Sequence, residues 1–160
     1  MKKVLLKTLY FLIFCLLING VAFSRTSPNP IVTKSFTDND SALVLQKCLD
    51  MPELQQYYTK SSDGTFSQVH VMQYPIVFSP DIAVTKFQLP ILLEPREVIY
   101  ASKADGFFIF KSFQITGNTA TVVFDYNYNY TTAPAALQVT LSLQKTGTDW
   151  SITNTLTHNR

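Results

Sequence analysis

The sequence predicts an α+β fold, with N-terminal helices packed on a curved antiparallel β-sheet. The sheet is a four-strand meander at the C-terminal end. Three observations predict this. Apolar and polar residues alternate with a period of two over most of Phe107–Leu156. Two short pairs, Gly117-Asn118 and Gly147-Thr148, divide that stretch as hairpin turns would. Ahead of it, Asp38–Tyr58 carries helical spacing and helix-start residues.

Residues 1–24 read as a secretory signal peptide. Lys2, Lys3 and Lys7 form a basic start, Val4–Ile18 is largely apolar, and Asn19-Gly20 breaks the helix. Small residues on either side of Phe23 place cleavage before Arg25, with cleavage after Ala22 the alternative. The apolar run is short for a membrane span, so a retained anchor is the lesser reading and no stable span survives cleavage. Cys15 follows the bulky Phe14, which argues against a lipid-modified start. Residues 25–37 hold Pro28 and Pro30, lack periodicity and read as a flexible leader; a single domain then spans 38–160.

Asp38, Asp40 or Ser41 can cap the first helix. Leu45, Cys48 and Leu49 share one face, with Ala42 and Leu43 behind them. Pro52 interrupts, and Asp50 followed by Glu53 repeats the capping pattern. One helix to about Leu49 and a short second one over Glu53–Tyr58 follow, with Leu54, Tyr57 and Tyr58 turned inward. Ser61–Gly64 is a turn. Phe66–Met72, Tyr74–Phe78 and Ala83–Leu89 read as strands, held to edges or irregular paths by Pro80 and Pro90. Pro95–Ala104 is a short helix that Gly106 follows. Arg96 and Glu97 are its exposed residues, Val98 and Ile99 its buried ones.

In the meander, Ala120, Val122, Phe124, Tyr126, Tyr128 and Tyr130 point one way, while Thr119, Thr121, Asp125, Asn127 and Asn129 point the other. Leu137, Val139, Leu141 and Leu143 continue the inner face, followed by Trp150, Ile152 and Leu156. The first turn sets Ile115 opposite Ala120 and Phe113 opposite Val122; the second sets Leu143 opposite Ile152. Phe108 and Phe110 stand out of phase with Phe113 and Ile115. One extra residue near Lys111-Ser112, a β-bulge, brings all four inward, with Phe110 opposite Phe124 and Phe108 opposite Tyr126. Bulges bend sheets, hence the expected curvature.

The chain has 160 residues, with 13 Lys and Arg against 11 Asp and Glu. Loss of Lys2, Lys3 and Lys7 with the signal peptide leaves ten basic against 11 acidic residues, a net charge near −1. No basic stripe remains, so nucleic acid is excluded as a partner. Cys48 is then the sole cysteine, which rules out an internal disulfide. Beside Leu45 and Leu49 it reads as a small buried apolar residue rather than a nucleophile. His70, expected to be exposed, and His158, in a frayed C-terminus, have no partners at ligand spacing, so no metal site is assigned. Glu94 and Glu97 flank a helix start, where carboxylates favour the dipole. The chain lacks a phosphate-binding glycine loop, a Gly-x-Ser-x-Gly elbow and a His-Glu-x-x-His helix, and no cofactor or catalytic residue is assigned.

Helices first, then irregular short strands, then a long curved meander ending in Gly-x-x-Trp-x-Ile: this order resembles the cystatin-like/NTF2-like α+β architecture. More narrowly, Pro52–Tyr58, Ser112–Tyr126 and Leu137–Asn154 are similar to small exported bacterial proteins of unassigned function. The resemblance covers about two-thirds of the mature chain and implies a cone-like body with helices in the concavity of a bent sheet. Steroid-isomerase members of that architecture use an Asp base and a Tyr donor inside the cone. Asp125, on the outer phase, does not match that arrangement.

The most suggestive residues are aromatic. Tyr126, Tyr128 and Tyr130 line one strand, and Tyr57 and Tyr58 close the helical segment. Together they form either a pocket wall for a small apolar ligand, oriented by phenol hydroxyls, or ordinary core and rim. Two functions follow. The first is a non-catalytic binding or interaction module of the cell envelope, periplasmic or secreted, for an unknown protein. The second is a cone-type small-molecule binder or enzyme with its pocket at these tyrosines. The nearly uncharged outer face, with Thr121, Thr140, Ser142, Thr153 and Thr155, leaves a homodimer open.

Overall fold

A helical segment and a set of period-two strands can bury their apolar faces only against one another. The computed structural model has this layering. It describes residues 35–36, 39–61 and 63–160; the signal-peptide reading and most of the leader reading lie outside the described residues. A two-residue strand, β1 (Ser35–Phe36), precedes helix α1 (Asn39–Leu49) and a 3₁₀ helix (Pro52–Tyr57). Five short strands follow: β2 (His70–Met72), β3 (Val77–Phe78), β4 (Thr85–Lys86), β5 (Leu89–Pro90) and β6 (Leu92–Glu94). Helix α2 (Arg96–Ser102) leads into β7 (Phe107–Thr116), β8 (Thr119–Tyr128), β9 (Ala135–Thr146) and β10 (Asp149–Asn159).

Strands β7–β10 form the expected meander. Ile115 lies opposite Ala120, Phe113 opposite Val122 and Leu143 opposite Ile152. The bulge falls between Phe110 and Ser112, so Phe110 meets Phe124 and Phe108 meets Tyr126. Both turns use glycine at positive φ, 57° at Gly117 and 64° at Gly147, a region that side chains with a Cβ rarely enter.

The sheet as a whole departs from the antiparallel expectation. It has six strands in the order β10-β9-β8-β7-β2-β6, and β2 pairs in parallel with both β7 and β6. The alternation within a strand fixes its faces but carries no information about the direction of its neighbour. Here the connections between β2, β6 and β7 are crossovers rather than hairpins. The predicted strands over Phe66–Met72, Tyr74–Phe78 and Ala83–Leu89 shrink to two or three residues each. Phe87 and Gln88 take positive φ, 54° and 65°, and fold the last of them into the small β4–β5 hairpin.

A second bulge, between Ile152 and Asn154, overturns the inward placement of Leu156. Trp150 and Ile152 keep the inner phase. Beyond the bulge, Thr155 comes opposite Leu141 and Leu156 opposite Thr140, leaving Leu156 67% exposed. The Thr153 hydroxyl donates to the Ser142 carbonyl at 3.1 Å and ties the bulge down. The C-terminus is not frayed either: His158 pairs with Gln138, and the Arg160 amide donates to Ala136 at 2.9 Å.

The inner face packs against α1 and the 3₁₀ helix. Val44, Leu45, Cys48, Leu49 and Leu54 join Phe108, Phe110, Phe124, Leu141 and Trp150 in one buried cluster. Each such side chain contributes roughly 1.5–3 kcal/mol on burial. Helix α2 covers the opposite side, where Ile99 packs with Met72, Ala104 and Phe107. Two turns of helix present one narrow stripe, and Ile99 fills it; Val98, expected to be buried, is 43% exposed. Lys103, in the left-handed region, ends this helix ahead of Gly106.

Asp40, a predicted cap residue, lies inside the first turn of α1 and reaches the meander instead. Its Oδ1 accepts from Trp150 Nε1 at 3.0 Å, and its carboxylate pairs with Lys145 Nζ at 2.7 Å. The Lys145 and Trp150 hydrogen bonds hold its carboxyl below the usual range. A depressed folded-state value gives stability that is present above the ordinary carboxylate range and lost as pH falls through it. We therefore expect the thermal midpoint to drop as the pH is lowered below about 4, and Asp40→Asn to flatten part of that drop. Parallel midpoint-versus-pH curves for the two proteins, followed by circular dichroism, would remove Asp40 from this role.

Candidate functional site

Four of the five predicted tyrosines come together. Tyr57 meets Tyr128 at 4.6 Å between ring centroids, Tyr58 meets Tyr126 at 5.3 Å, and Tyr126 meets Tyr128 at 6.2 Å. Strand β8 supplies Tyr126 and Tyr128 at successive inward positions. The 3₁₀ helix and the residue after it bring Tyr57 and Tyr58 down onto them. Tyr126 and Tyr58 are buried, while Tyr57 and Tyr128 are half-buried.

Tyr130 does not join them. Asn129 adopts a φ of 52°, which turns the chain out of the strand and off the inner face. Tyr130 stacks on Tyr100 at 5.8 Å and meets Phe107 edge-on at 5.0 Å, on the side covered by α2. The Asp105 carboxylate accepts from the Thr131 amide at 2.9 Å and its hydroxyl at 2.6 Å; these bonds hold its carboxyl below the usual range and pin the loop after β8.

The buried phenols are already engaged. Tyr58 Oη donates to the Leu49 carbonyl at 2.7 Å, and Tyr126 Oη to the Tyr57 carbonyl at 3.3 Å. Burial pushes both phenols above their ordinary range, so at neutral pH both remain protonated donors. Gly106 lets the backbone close on this point: a Cβ there would stand 2.7 Å from Tyr126 Oη. A cavity of about 50 Å³ remains between Tyr58, Asp105, Gly106 and Tyr126. That is room for one or two waters, each of which takes roughly 30 Å³.

Larger hollows lie elsewhere, on segments where sequence reasoning placed no site. A groove of about 390 Å³ follows the β6 edge, lined by Ile82, Val84, Pro90, Ile91, Leu93 and Glu94. Another, of about 310 Å³, lies between Gln73, Tyr74, Pro95, Arg96 and Glu97. The parallel β2–β6 pairing also creates a contact no motif announced. His70, expected to be exposed, is half-buried with Nδ1 at 2.7 Å from Glu94 Oε2. The two residues are 24 positions apart, and only the crossover brings them together. Such a pair can orient an imidazole, but nucleophilic chemistry needs a third group beside it.

Cys48 is fully buried on the helical cover, and burial pushes its thiol far above the reactive range. Asp125 stays on the outer face, as its phase implies, paired with Lys111 and with Arg160 at 3.6 Å. It is turned away from the tyrosines. Among the described residues, no group of three or more His, Cys, Asp or Glu could hold a metal ion, and no helix is long and apolar enough to cross a membrane. Comparison of the chain with protein-family models, with curated proteins and with solved structures finds no match.

Proposed function

We propose that this chain is a non-catalytic interaction module of the cell envelope, exported after loss of residues 1–24, and that it engages a protein partner through its surface. One observation carries the reading. The concave face of the sheet is closed by its own helical cover, whose backbone takes up both buried phenols. A ligand site keeps some polar tips free to orient its guest and encloses some 300 Å³ or more; about 50 Å³ remains here. The same layering of helices inside a bent sheet supports a cone-like architecture of the cystatin-like/NTF2-like kind. The groove beside β6, at about 390 Å³, is larger, and its mostly apolar lining suits an apolar segment of a partner.

The competing reading is a small-molecule binder or enzyme. It is favoured by the His70–Glu94 pair, whose carboxylate lines that same groove. Native mass spectrometry of the protein purified from its own host separates the two. A bare polypeptide mass, or a mass with a second protein attached, is the expected result. A stoichiometric co-purifying small molecule overturns the interaction reading.

A further inference from the structure

The six-stranded sheet has two edges, and they are built differently. At one edge, β6 is three residues long and stands between Pro90 and Pro95. Proline withholds the N–H that a further strand would need, so this edge is blunted. At the other edge, β10 runs for 11 residues and, among the described residues, pairs with β9 alone. From Trp150 to Thr157 it carries no charge, no proline and no glycine. Charges, prolines and short length are the usual protections of an edge strand; Asp149, paired with Lys47 at 3.2 Å, guards the start of β10, and beyond it the strand has only its bulge at Thr153.

Beyond the bulge the ladder is regular. Leu156 lies there, the most exposed large apolar side chain among the described residues at 67%. It ends an outer-face row through Thr140 of β9 to Val123 of β8, and no described strand lies on its other flank. We infer that β10 pairs antiparallel with β10 of a second copy, centred on Leu156, and so joins two sheets edge to edge in a homodimer.

The register is self-consistent. Residues opposite each other in an antiparallel pair share a face. Centring on Leu156 sets it against its own copy, Asn154 against His158 and Thr155 against Thr157. Leu156 and Thr140 share the outer face, as do Asn154 and His158, opposite Ser142 and Gln138. Thr155 and Thr157 are on the inner face, opposite Leu141 and Val139. A shift of one residue sets inner side chains against outer ones along the whole seam. A shift of two sets Leu156 against a polar residue. No like charges meet, because the Arg160 guanidinium is held within its own chain by Gln138 at 2.9 Å and by Asp125. The dimer is independent of the envelope-module reading and stands or falls without it.

The test uses the full chain in analytical ultracentrifugation across a concentration series. The expected result is a monomer–dimer equilibrium whose dissociation constant rises about tenfold or more in Leu156→Lys, where two ammonium groups would face each other at the twofold. Leu156 is exposed, so Leu156→Lys should keep the wild-type circular dichroism spectrum. A second variant reads the register directly. Under mild oxidation Leu156→Cys is expected to cross-link to its own copy, because opposed Cα atoms at about 4.5–5.5 Å lie within disulfide reach. With Cys15→Ser in every protein tested, the parent chain, whose Cys48 is buried, and its Thr153→Cys variant are expected to give no such band. A monomer at every concentration overturns the proposal, whether or not the edge accepts a strand from another protein. A dimer indifferent to Leu156→Lys, with no cross-link at position 156, overturns it too.

Discussion

Replacing Trp150 with alanine is expected to cost about 3–5 kcal/mol of stability, the range seen for large aromatic truncations in cores. Trp150 is fully buried near the start of β10 and belongs to the cluster that joins the meander to α1. Truncation leaves a cavity bounded by a sheet on one side and a helix on the other, neither of which closes easily. It also removes the indole N–H that Asp40 accepts at 3.0 Å. Trp150→Phe separates the two effects. It keeps most of the apolar volume and leaves Asp40 with Lys145 alone, so a smaller loss of about 1–2 kcal/mol is expected. Chemical denaturation followed by circular dichroism gives both values; fluorescence does not serve, because Trp150 is the chain's one tryptophan. A loss under about 1 kcal/mol for Trp150→Ala, which is within reach of surface substitutions, would mean that α1 is not seated on the meander.

The second large effect is expected at Phe108. It is fully buried, with ring centroids at 4.6 Å from Tyr126, 5.5 Å from Phe124, 6.1 Å from Phe110 and 6.3 Å from Tyr58. Phe108→Ala removes the middle of this aromatic layer and is expected to cost about 3–5 kcal/mol. The experiment bears on function as well as on stability. A concavity that holds a ligand in the native protein would already be loosely filled at this point. Its truncation would then cost little. A midpoint change equivalent to less than about 1 kcal/mol, again the scale of surface sites, would contradict the filled concavity and return the tyrosine pocket to favour.

The register of the meander was legible because independent signals agreed. Two turns and two phases of apolar residues left one arrangement, and the Lys111 bulge was the only way to keep Phe108 and Phe113 on one face. The Thr153 bulge was not legible. Ser, Thr and Asn flank it, and these side chains are at home on either face, so a slip of one residue left no mark in the pattern. The parallel strands were hidden for a different reason. Their pairing depends on crossovers through proline-rich segments whose paths are set by tertiary packing, and the His70–Glu94 contact was hidden with them.

The candidate site was legible in part. The tyrosines that meet could be chosen from strand phase and helical position. Whether they formed a wall or a core depended on where their hydroxyls pointed. That was decided by two backbone carbonyls, of Leu49 and Tyr57, which no side-chain pattern reports. Tyr130 was misplaced because its departure rests on one left-handed residue, Asn129.

The Asp40–Trp150 bond spans 110 residues. Its partners lie at opposite ends of the described domain, so this tie of α1 to the meander forms only when the last hairpin is present. A chain threaded N-terminus first, through a ribosome exit or a narrow channel, carries α1 without this tie until Trp150 has passed. Long-range closures of this kind slow folding, because chain entropy is lost before the contact forms. The first helix of the domain is thus locked to the sheet by one of the last side chains of the domain to be made.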